Sequence, residues 1–476
     1  MHHQKLDRLT NFSLNTLRSL SSIGFVHPIQ TAAVLRGLAR ISFGITIILI
    51  PFRYRFFAFS RPLPPIYRDF TDFILFASDV FLISTLFFWL LILALERRRP
   101  HLRPGFLSIP ILGLSLIGLL SGLNSVDAGL SLYHSLRLVV LLLLYIYVIN
   151  EIKSLDQVIP PVVILVILQS GVAIHQVLNQ HSVGLASLGE LELDPVSSGV
   201  SIVSAGGMRS LRAYGLADHP NILGGCLAFS LIILMSWFAT SRSEWRIMAS
   251  AILALGGLGL LYTYSRSAWL AGGTSLLFVG MAYLISGKIP SFRSWLTLLG
   301  TTLIFTLPFL WSSAQVVGVR LNIRSSYALN PHENQSLGER AILNEAAIHV
   351  FAGKPLLGVG LGTFPIALRD HRPDYPFNYQ PAHVVLLDVA GETGILGAVF
   401  YILALTAPWV AIWINRHRLR PNPQLIAASG LLLGLTIISF FDYYTWLLEP
   451  GRLWQWTGWG LWAAMYGQSL KKEQYA

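Results

Sequence analysis

The sequence predicts an all-α membrane protein of about twelve transmembrane helices, with a large helical periplasmic loop between spans 9 and 10. Three observations carry this. Hydrophobic residues make up 54% of the 476 and charged residues only 12%, half the roughly 25% charged share of soluble domains. Apolar runs near the ~20 residues that a ~30 Å hydrocarbon core requires recur from end to end. Finally, basic residues favour alternate loops, as they do in a protein threaded repeatedly through a bilayer.

The runs read as spans are 41–52, 73–95, 106–123, 130–149, 158–177, 222–239, 247–264, 268–285, 295–311, 395–414, 425–440 and 453–466. The first is the weakest and is expected to extend at both ends. Residues 1–35 contain Lys5, Arg8 and Arg18 without a long apolar run or a small-residue cleavage site, and read as a cytoplasmic tail before an uncleaved first span. Residues 36–468 then form a single membrane domain, with 312–382 as the large loop, and 469–476 form a cytoplasmic C-terminal tail. With both termini inside, 19 Lys and Arg fall on the cytoplasmic side and 14 outside, with Arg137 within a span. Short inner loops marked by Arg97, Arg98 and Arg99 and by Arg416, Arg418 and Arg420 support this orientation. One outer loop opposes it, holding Arg53, Arg55, Arg61 and Arg68.

The net charge of +11 would suggest a nucleic-acid surface on a soluble protein. Here it follows from topology, and no RNA- or DNA-binding motif accompanies it. Cys226 is the sole cysteine, so no intramolecular disulfide can form, and its apolar neighbours make it a small core residue.

Two outer loops are long: 178–221, rich in Gly and Ser, and 312–382, with a helical stretch at 336–351. Long outer loops between short inner turns place the chemistry at the outer face. At the end of the first lie Arg209, Arg212, Gly215, Asp218, His219, Pro220 and Asn221. In a helix Arg209 and Arg212 could face one anion; in the plainer reading Asp218 or His219 caps the sixth span, Pro220 fills its first turn, and the arginines touch headgroups. Arg266, in the turn Tyr264-Ser265-Arg266, sits at the membrane boundary, where a charge needs an anionic partner or snorkels to lipid phosphates. Arg137 lies about two turns inside the fourth span, which makes it either functional or one half of an interhelical salt bridge.

The large loop supplies Glu339 and Arg340, then Lys354, Pro355, Gly358, Gly360, Gly362 and Phe364. The glycine alternation lacks the Lys-Ser/Thr and the strand-turn-helix setting of a nucleotide loop, and reads as a buried tight turn. His383 opens the tenth membrane segment beside Asp388 and Glu392, and an imidazole with pKa near 6.5 can accept a proton at neutral pH. No His or Cys spacing suited to a metal appears in the outer loops, so the site reads as cationic, without metal or cofactor.

Taken together, Arg212-x-x-Gly215 with His219-Pro220-Asn221, Tyr264-Ser265-Arg266, Glu339-Arg340, the 355–364 segment and the 383–397 segment resemble the O-antigen ligase and polymerase superfamily. The resemblance covers about 209–397; the N-terminal half shares only hydropathy. The family's histidine motif, H-[NSQ]-x-x-L-x6-G, aligns with His383, Leu387 and Gly394, but Val384 replaces the polar second residue, and Asp388 or Glu392 is expected to orient the imidazole instead. The resemblance implies a glycosyltransferase of the bacterial inner membrane, working at its periplasmic face. Its donor would be a glycan on undecaprenyl diphosphate, and its acceptor a hydroxyl on a glycan, on lipid A core or on another molecule. Fixed cations lower the barrier where a diphosphate leaves, and arginine's fork suits phosphate oxygens. The implied assignment gives Arg212 and Arg266 to the diphosphate, with Arg340 and Arg209 as helpers and Arg137 as a fifth cation. His383 is the general base, His219 the reserve and Asn221 a neighbour in the binding site. The alternative classes are a secondary transporter or lipid-linked glycan flippase, which usually shows two similar halves, and a structural scaffold.

Overall fold

The computed structural model describes residues 28–205, 207–321, 331–420 and 422–470. Most of both predicted tails, and residues 322–330 of the large loop, lie outside the described residues. Each of the twelve apolar runs contains a helix, although 50–52 lie beyond the first helix and 73–76 form a strand ahead of the second. The first nine are α1 (Pro28–Leu49), α2 (Ala77–Glu96), α3 (Gly105–Ser121), α4 (Ala128–Glu151), α5 (Ile159–Asn179), α6 (Pro220–Thr240), α7 (Arg246–Tyr262), α8 (Arg266–Ile285) and α9 (Ile289–Ser312). In the large loop follow α10 (Ala314–Leu321), α11 (Pro331–Gly353) and α12 (Phe364–His371). Then come α13 (Val385–Ile414), α14 (Pro423–Ser439), the single turn α15 (Tyr444–Leu447) and α16 (Glu449–Ser469). Among the described residues ten helices are long and apolar enough to cross a membrane; α14 is shorter, with 17 residues, and α16 falls outside the ten although it has 21. The tryptophans Trp454, Trp456, Trp459 and Trp462 of α16 are buried inside the protein.

Three details differ from the sequence reading. The first span extends only at its N-terminal end, so α1 starts at Pro28, within the stretch assigned to the tail. The 336–351 helix is longer, running from Pro331 to Gly353. And two short antiparallel hairpins interrupt the all-helical picture: β1 (Arg55–Phe59) with β2 (Phe73–Phe76), and β3 (Ile202–Ala205) with β4 (Met208–Leu211). β1, β3 and β4 sit in predicted outer loops, whereas β2 takes the first four residues of the predicted span 73–95, whose helix starts at Ala77; backbone away from hydrocarbon can satisfy itself in a ladder instead of a helix.

Local chemistry sets the helix starts. Asp127 accepts the Leu130 N–H at 2.9 Å at the start of α4, and Asn422 accepts the Gln424 N–H at 2.9 Å ahead of Pro423 in α14. α6 is apolar all round and buried along almost its whole length, packed against α5, α7, α8, α9, α14 and α16. Cys226 lies on it as a buried free thiol. The outer helices instead expose large apolar side chains, such as Val80, Ile83 and Phe87 on α2 and Leu277 and Met281 on α8, which form the lipid-facing belt.

The helix α13 is broken at Gly394, with φ 70° and ψ −170°. A Cβ there would collide with the Leu356 carbonyl, so the position needs glycine for both shape and space. The break exposes carbonyls that the glycine-rich segment repairs. Val359 and Gly360 donate their N–H groups to the Gly391 and Glu392 carbonyls at 2.9 and 3.0 Å, and Ile395 N–H returns to Pro355 at 2.8 Å. A Cβ at Gly358 would strike the Glu392 backbone. The segment is thus a buried turn, and it fixes the half-helix that begins just after His383.

The predicted outer loops meet at one end of the bundle. Arg53 N–H donates to the Leu216 carbonyl, Val126 N–H to the Val359 carbonyl and Lys354 to the Asn124 carbonyl. The four arginines that opposed the charge rule are each paired there: Arg53 and Arg55 with Asp218, Arg55 also with Asp69, Arg61 with Asp127 and Arg68 with Asp72. The opposite end carries Arg36 with Glu96, and Arg98 with Glu151.

Candidate functional site

At the end where the outer loops meet, a cavity of about 610 Å³ opens between elements far apart in sequence. Its charged lining comes from Arg212, Arg266, Arg320 and Arg340, together with His219 and His383. Four carboxylates also face it, but Asp69 and Asp218 are already engaged by Arg53 and Arg55. Glu339 and Asp442 complete the set.

The cationic part is built around the turn between α7 and α8. Tyr264 adopts a left-handed backbone, φ 48°, uncommon for a residue with a side chain and costing of order 1–3 kcal/mol. The turn directs two successive carbonyls at guanidinium groups: Thr263 accepts from Arg212 Nε at 2.8 Å, and Tyr264 from Arg320 Nε at 3.0 Å. Arg266 follows at the first position of α8. Arg212 also donates to Asn221 Oδ1 at 2.6 Å, and Asn221 Nδ2 donates to Asp442 Oδ2 at 2.9 Å. Asn221 therefore links the arginine side of the cavity to the histidine side.

His383 stands two residues ahead of α13. Its ring centroid is 5.2 Å from that of Tyr443, and among the described residues its Nδ1 has no hydrogen-bond partner. Burial lowers its pKa to about 4; Asp442 and the Phe441 carbonyl oppose the shift and Arg340 adds to it. The imidazole is therefore neutral at pH 7 and has a nitrogen available to accept a proton. Arg340 Nη1 donates to the same Phe441 carbonyl at 3.4 Å.

His219 lines the same cavity with both ring nitrogens committed. Nδ1 accepts the Asn221 N–H at 3.1 Å, which leaves Nε2 to donate to Ser201 Oγ at 3.1 Å. It is the cap of α6, with Pro220 at the first turn. Burial, with Arg212 and Arg340 next, lowers its pKa to about 3.

Two of the arginines named from sequence lie elsewhere. Arg209 is on β4, paired across the hairpin with Ser204, and is exposed. The segment is a strand and not a helix, and side chains three apart on a strand point to opposite faces, so Arg209 does not join Arg212. Arg137 is held between α2 and α16, 2.9 Å from Asp79 and 2.6 Å from Glu449, outside the cavity lining. It is the interhelical salt bridge of the two readings. The expected orienting role of Asp388 or Glu392 is also replaced. Asp388 accepts the Ala382 N–H at 2.7 Å and Glu392 accepts from Trp446 at 2.9 Å, while the carboxylate whose field reaches His383 is Asp442.

Arg320 and Asp442 were missed. Each is the only charge in its apolar setting, Arg320 in α10 and Asp442 in the aromatic stretch Phe440-Phe441-Asp442-Tyr443-Tyr444. A lone charge at a membrane edge is the same signal that singled out Arg266.

Among curated proteins no sequence matches this chain. Residues 251–402, about a third of the chain, match the family model described as O-antigen ligase. The matched stretch contains Arg266, Arg320, Arg340 and His383, and ends just beyond the break in α13. That match supports the O-antigen ligase and polymerase superfamily and indicates an O-antigen ligase-like membrane glycosyltransferase.

Proposed function

We propose that this protein transfers or polymerises a glycan from an undecaprenyl-diphosphate-linked donor onto an acceptor hydroxyl, without a metal, at the periplasmic face of a bacterial inner membrane. In this reading all twelve helices span, both termini are cytoplasmic, and 312–382 is a periplasmic loop closing over the site. The observation that carries the proposal is one cavity lined jointly by Arg212, Arg266, Arg320, Arg340 and His383. Cleaving the bond from the anomeric carbon to the diphosphate oxygen leaves the electron pair on the diphosphate, and preset guanidinium groups stabilise that charge as it develops. His383 removes the proton from the attacking hydroxyl, a role typically worth about 10² to 10⁴ in rate. The new bond joins the acceptor oxygen to the anomeric carbon, the diphosphate leaves on its lipid, and the proton passes from the imidazole to solvent or to the leaving group.

Like the many apolar helices with Arg137 set among them, the broken helix α13 is a feature a transporter would share. Its exposed carbonyls are taken up by Val359 and Gly360, so the break is filled by protein and does not line a pathway. The test is transfer in isolated membranes. His383→Ala and Arg266→Ala should each abolish it with the abundance of the protein unchanged; full activity in both variants would remove the assignment.

A further inference from the structure

A second cavity, of about 340 Å³, lies at the end of the bundle opposite the arginine cluster. α6 measures the separation. It begins beside His219 in the outer cavity and ends at Thr240 in this one, and its 21 residues extend roughly 30 Å, about the thickness of a hydrocarbon core. The turns before α5 and α7, the end of α6 and the first turn of α14 supply the lining, which includes Asp156, Ser236, Trp237, Arg242 and Trp245.

The charges of this cavity are fixed or free but never neutralised. Trp237 Nε1 donates to Asp156 Oδ1 at 2.5 Å and Ser154 Oγ to Asp156 Oδ2 at 2.6 Å, which positions the carboxylate and leaves its charge in place. Among the described residues neither Asp156 nor Arg242 has an ion-pair partner, and although they line one cavity they do not pair with each other. Ser236 is 1% exposed, and among the described residues its Oγ has no hydrogen-bond partner. Trp245 stands half exposed at the rim, and just beyond it on α7 Ile247 and Met248 present apolar surface outward.

A ligand that completes this arrangement carries a cation for Asp156, an anion for Arg242 and Ser236, and hydrocarbon for Ile247 and Met248. An anionic headgroup would suit Arg242 but would set a negative charge against Asp156. A small soluble zwitterion would satisfy both charges and leave the apolar rim in water. Tryptophans gather where headgroups meet hydrocarbon, and a primary ammonium brings three N–H donors to a carboxylate where a quaternary one brings none.

We infer that this cavity binds the headgroup of a zwitterionic phospholipid with a primary ammonium. The ammonium sits on Asp156, the phosphate on Arg242 and Ser236, and the acyl chains lie along Ile247 and Met248. No residue of the outer cavity takes part, so the site stands independently of the proposed transfer reaction.

The experiment uses the full chain purified in detergent and three dioleoyl lipids added one at a time: phosphatidylethanolamine, phosphatidylglycerol and phosphatidylcholine. Native mass spectrometry counts the lipid retained. One phosphatidylethanolamine should be held about tenfold more tightly than either of the others, the scale of one hydrogen bond to a charged group. Asp156→Asn keeps an acceptor for Trp237 and should erase the preference over phosphatidylglycerol. Arg242→Gln should weaken phosphatidylethanolamine about tenfold. Both changes are at exposed side chains, and lipid-free melting temperatures equal to that of the unaltered protein show that the variants are folded. Equal retention of phosphatidylethanolamine and phosphatidylglycerol by the unaltered protein, or a preference that persists in both variants, overturns the site. Phosphatidylcholine held as tightly as phosphatidylethanolamine would mean recognition by the tryptophan rings and would overturn the role of Asp156. Displacement of the lipid by an equal concentration of soluble phosphoethanolamine would overturn its assignment to a membrane lipid.

Discussion

Two regions of this protein hold arginine away from bulk water in different ways. Arg137, between α2, α4 and α16, lies against the carboxylates of Asp79 and Glu449 and faces the rings of Tyr133 and Phe76 at 5.5 and 5.8 Å. In the outer cavity Arg212 is gripped by the Thr263 carbonyl and the Asn221 amide, Arg320 by the Tyr264 carbonyl and Arg340 by the Phe441 carbonyl. The paired carboxylates of the first region cancel the charge they bind, whereas the carbonyl and amide contacts of the second aim guanidinium groups along a cavity wall. The first arrangement braces helices; the second can receive an anion.

The largest effect should come from the brace. Arg137→Ala leaves two buried carboxylates without their cation, and breaking a buried pair in this way costs roughly 3–5 kcal/mol. The melting temperature in detergent and the amount of protein in membranes should both fall sharply. Combining Arg137→Met with Asp79→Asn and Glu449→Gln removes all three charges together and should recover most of the loss. If the triple variant transfers no glycan although it folds, Arg137 belongs to the site and the comparison fails.

Arg212→Ala is the matching change in the cavity. It should lower transfer by about 10² to 10³, the range for loss of one preset donor, roughly 2.7–4 kcal/mol in the barrier. The melting temperature should move far less than for Arg137→Ala. A smaller loss is expected from Gly394→Ala, which forces a Cβ into a left-handed position against the Leu356 carbonyl. Strain of this kind costs about 1–3 kcal/mol. It should appear as reduced thermal stability together with weaker transfer, because the half-helix that starts after His383 depends on the break.

The helices were legible because hydropathy over some twenty residues reports burial in hydrocarbon directly; every predicted run contains a helix, with the strand at 73–76 and the non-helical 50–52 as the exceptions in detail. The motif residues Arg212, Arg266, Arg340 and His383 could be named because charges at membrane edges stand out against apolar neighbours. Arg209 misled because a spacing of three has meaning only in a helix, and the chain forms a hairpin there. Tyr67, Gln380 and Tyr443 gave no signal, since they are ordinary polar and aromatic residues until the fold brings 67, 380 and 443 to the cavity beside His383. Asp442 could have been found by the same rule as Arg266, applied to acids as well as bases.

The finest test of the comparison is the titration of His383, which reads the local field. An unfolded imidazole titrates near 6.5; in this fold burial takes His383 to about 4, with Asp442 pulling it up and Arg340 pushing it down. The folded state thus binds fewer protons than the unfolded state between these values. Its contribution to stability is complete above about pH 6.5 and is lost as pH falls toward 4. The acid limb of kcat/KM, which reports the free enzyme, should have its midpoint near the lower value. Asp442→Asn removes the opposing negative charge and should shift that limb to lower pH, while Arg340→Ala should shift it to higher pH, each by roughly one unit. The triple variant Arg137→Met, Asp79→Asn, Glu449→Gln should leave it in place, because charges that cancel one another in the brace contribute no net field at the imidazole. A shift in that variant as large as the one from Arg340→Ala would show that the two regions are a single electrostatic unit, and the distinction between brace and receptor would fall.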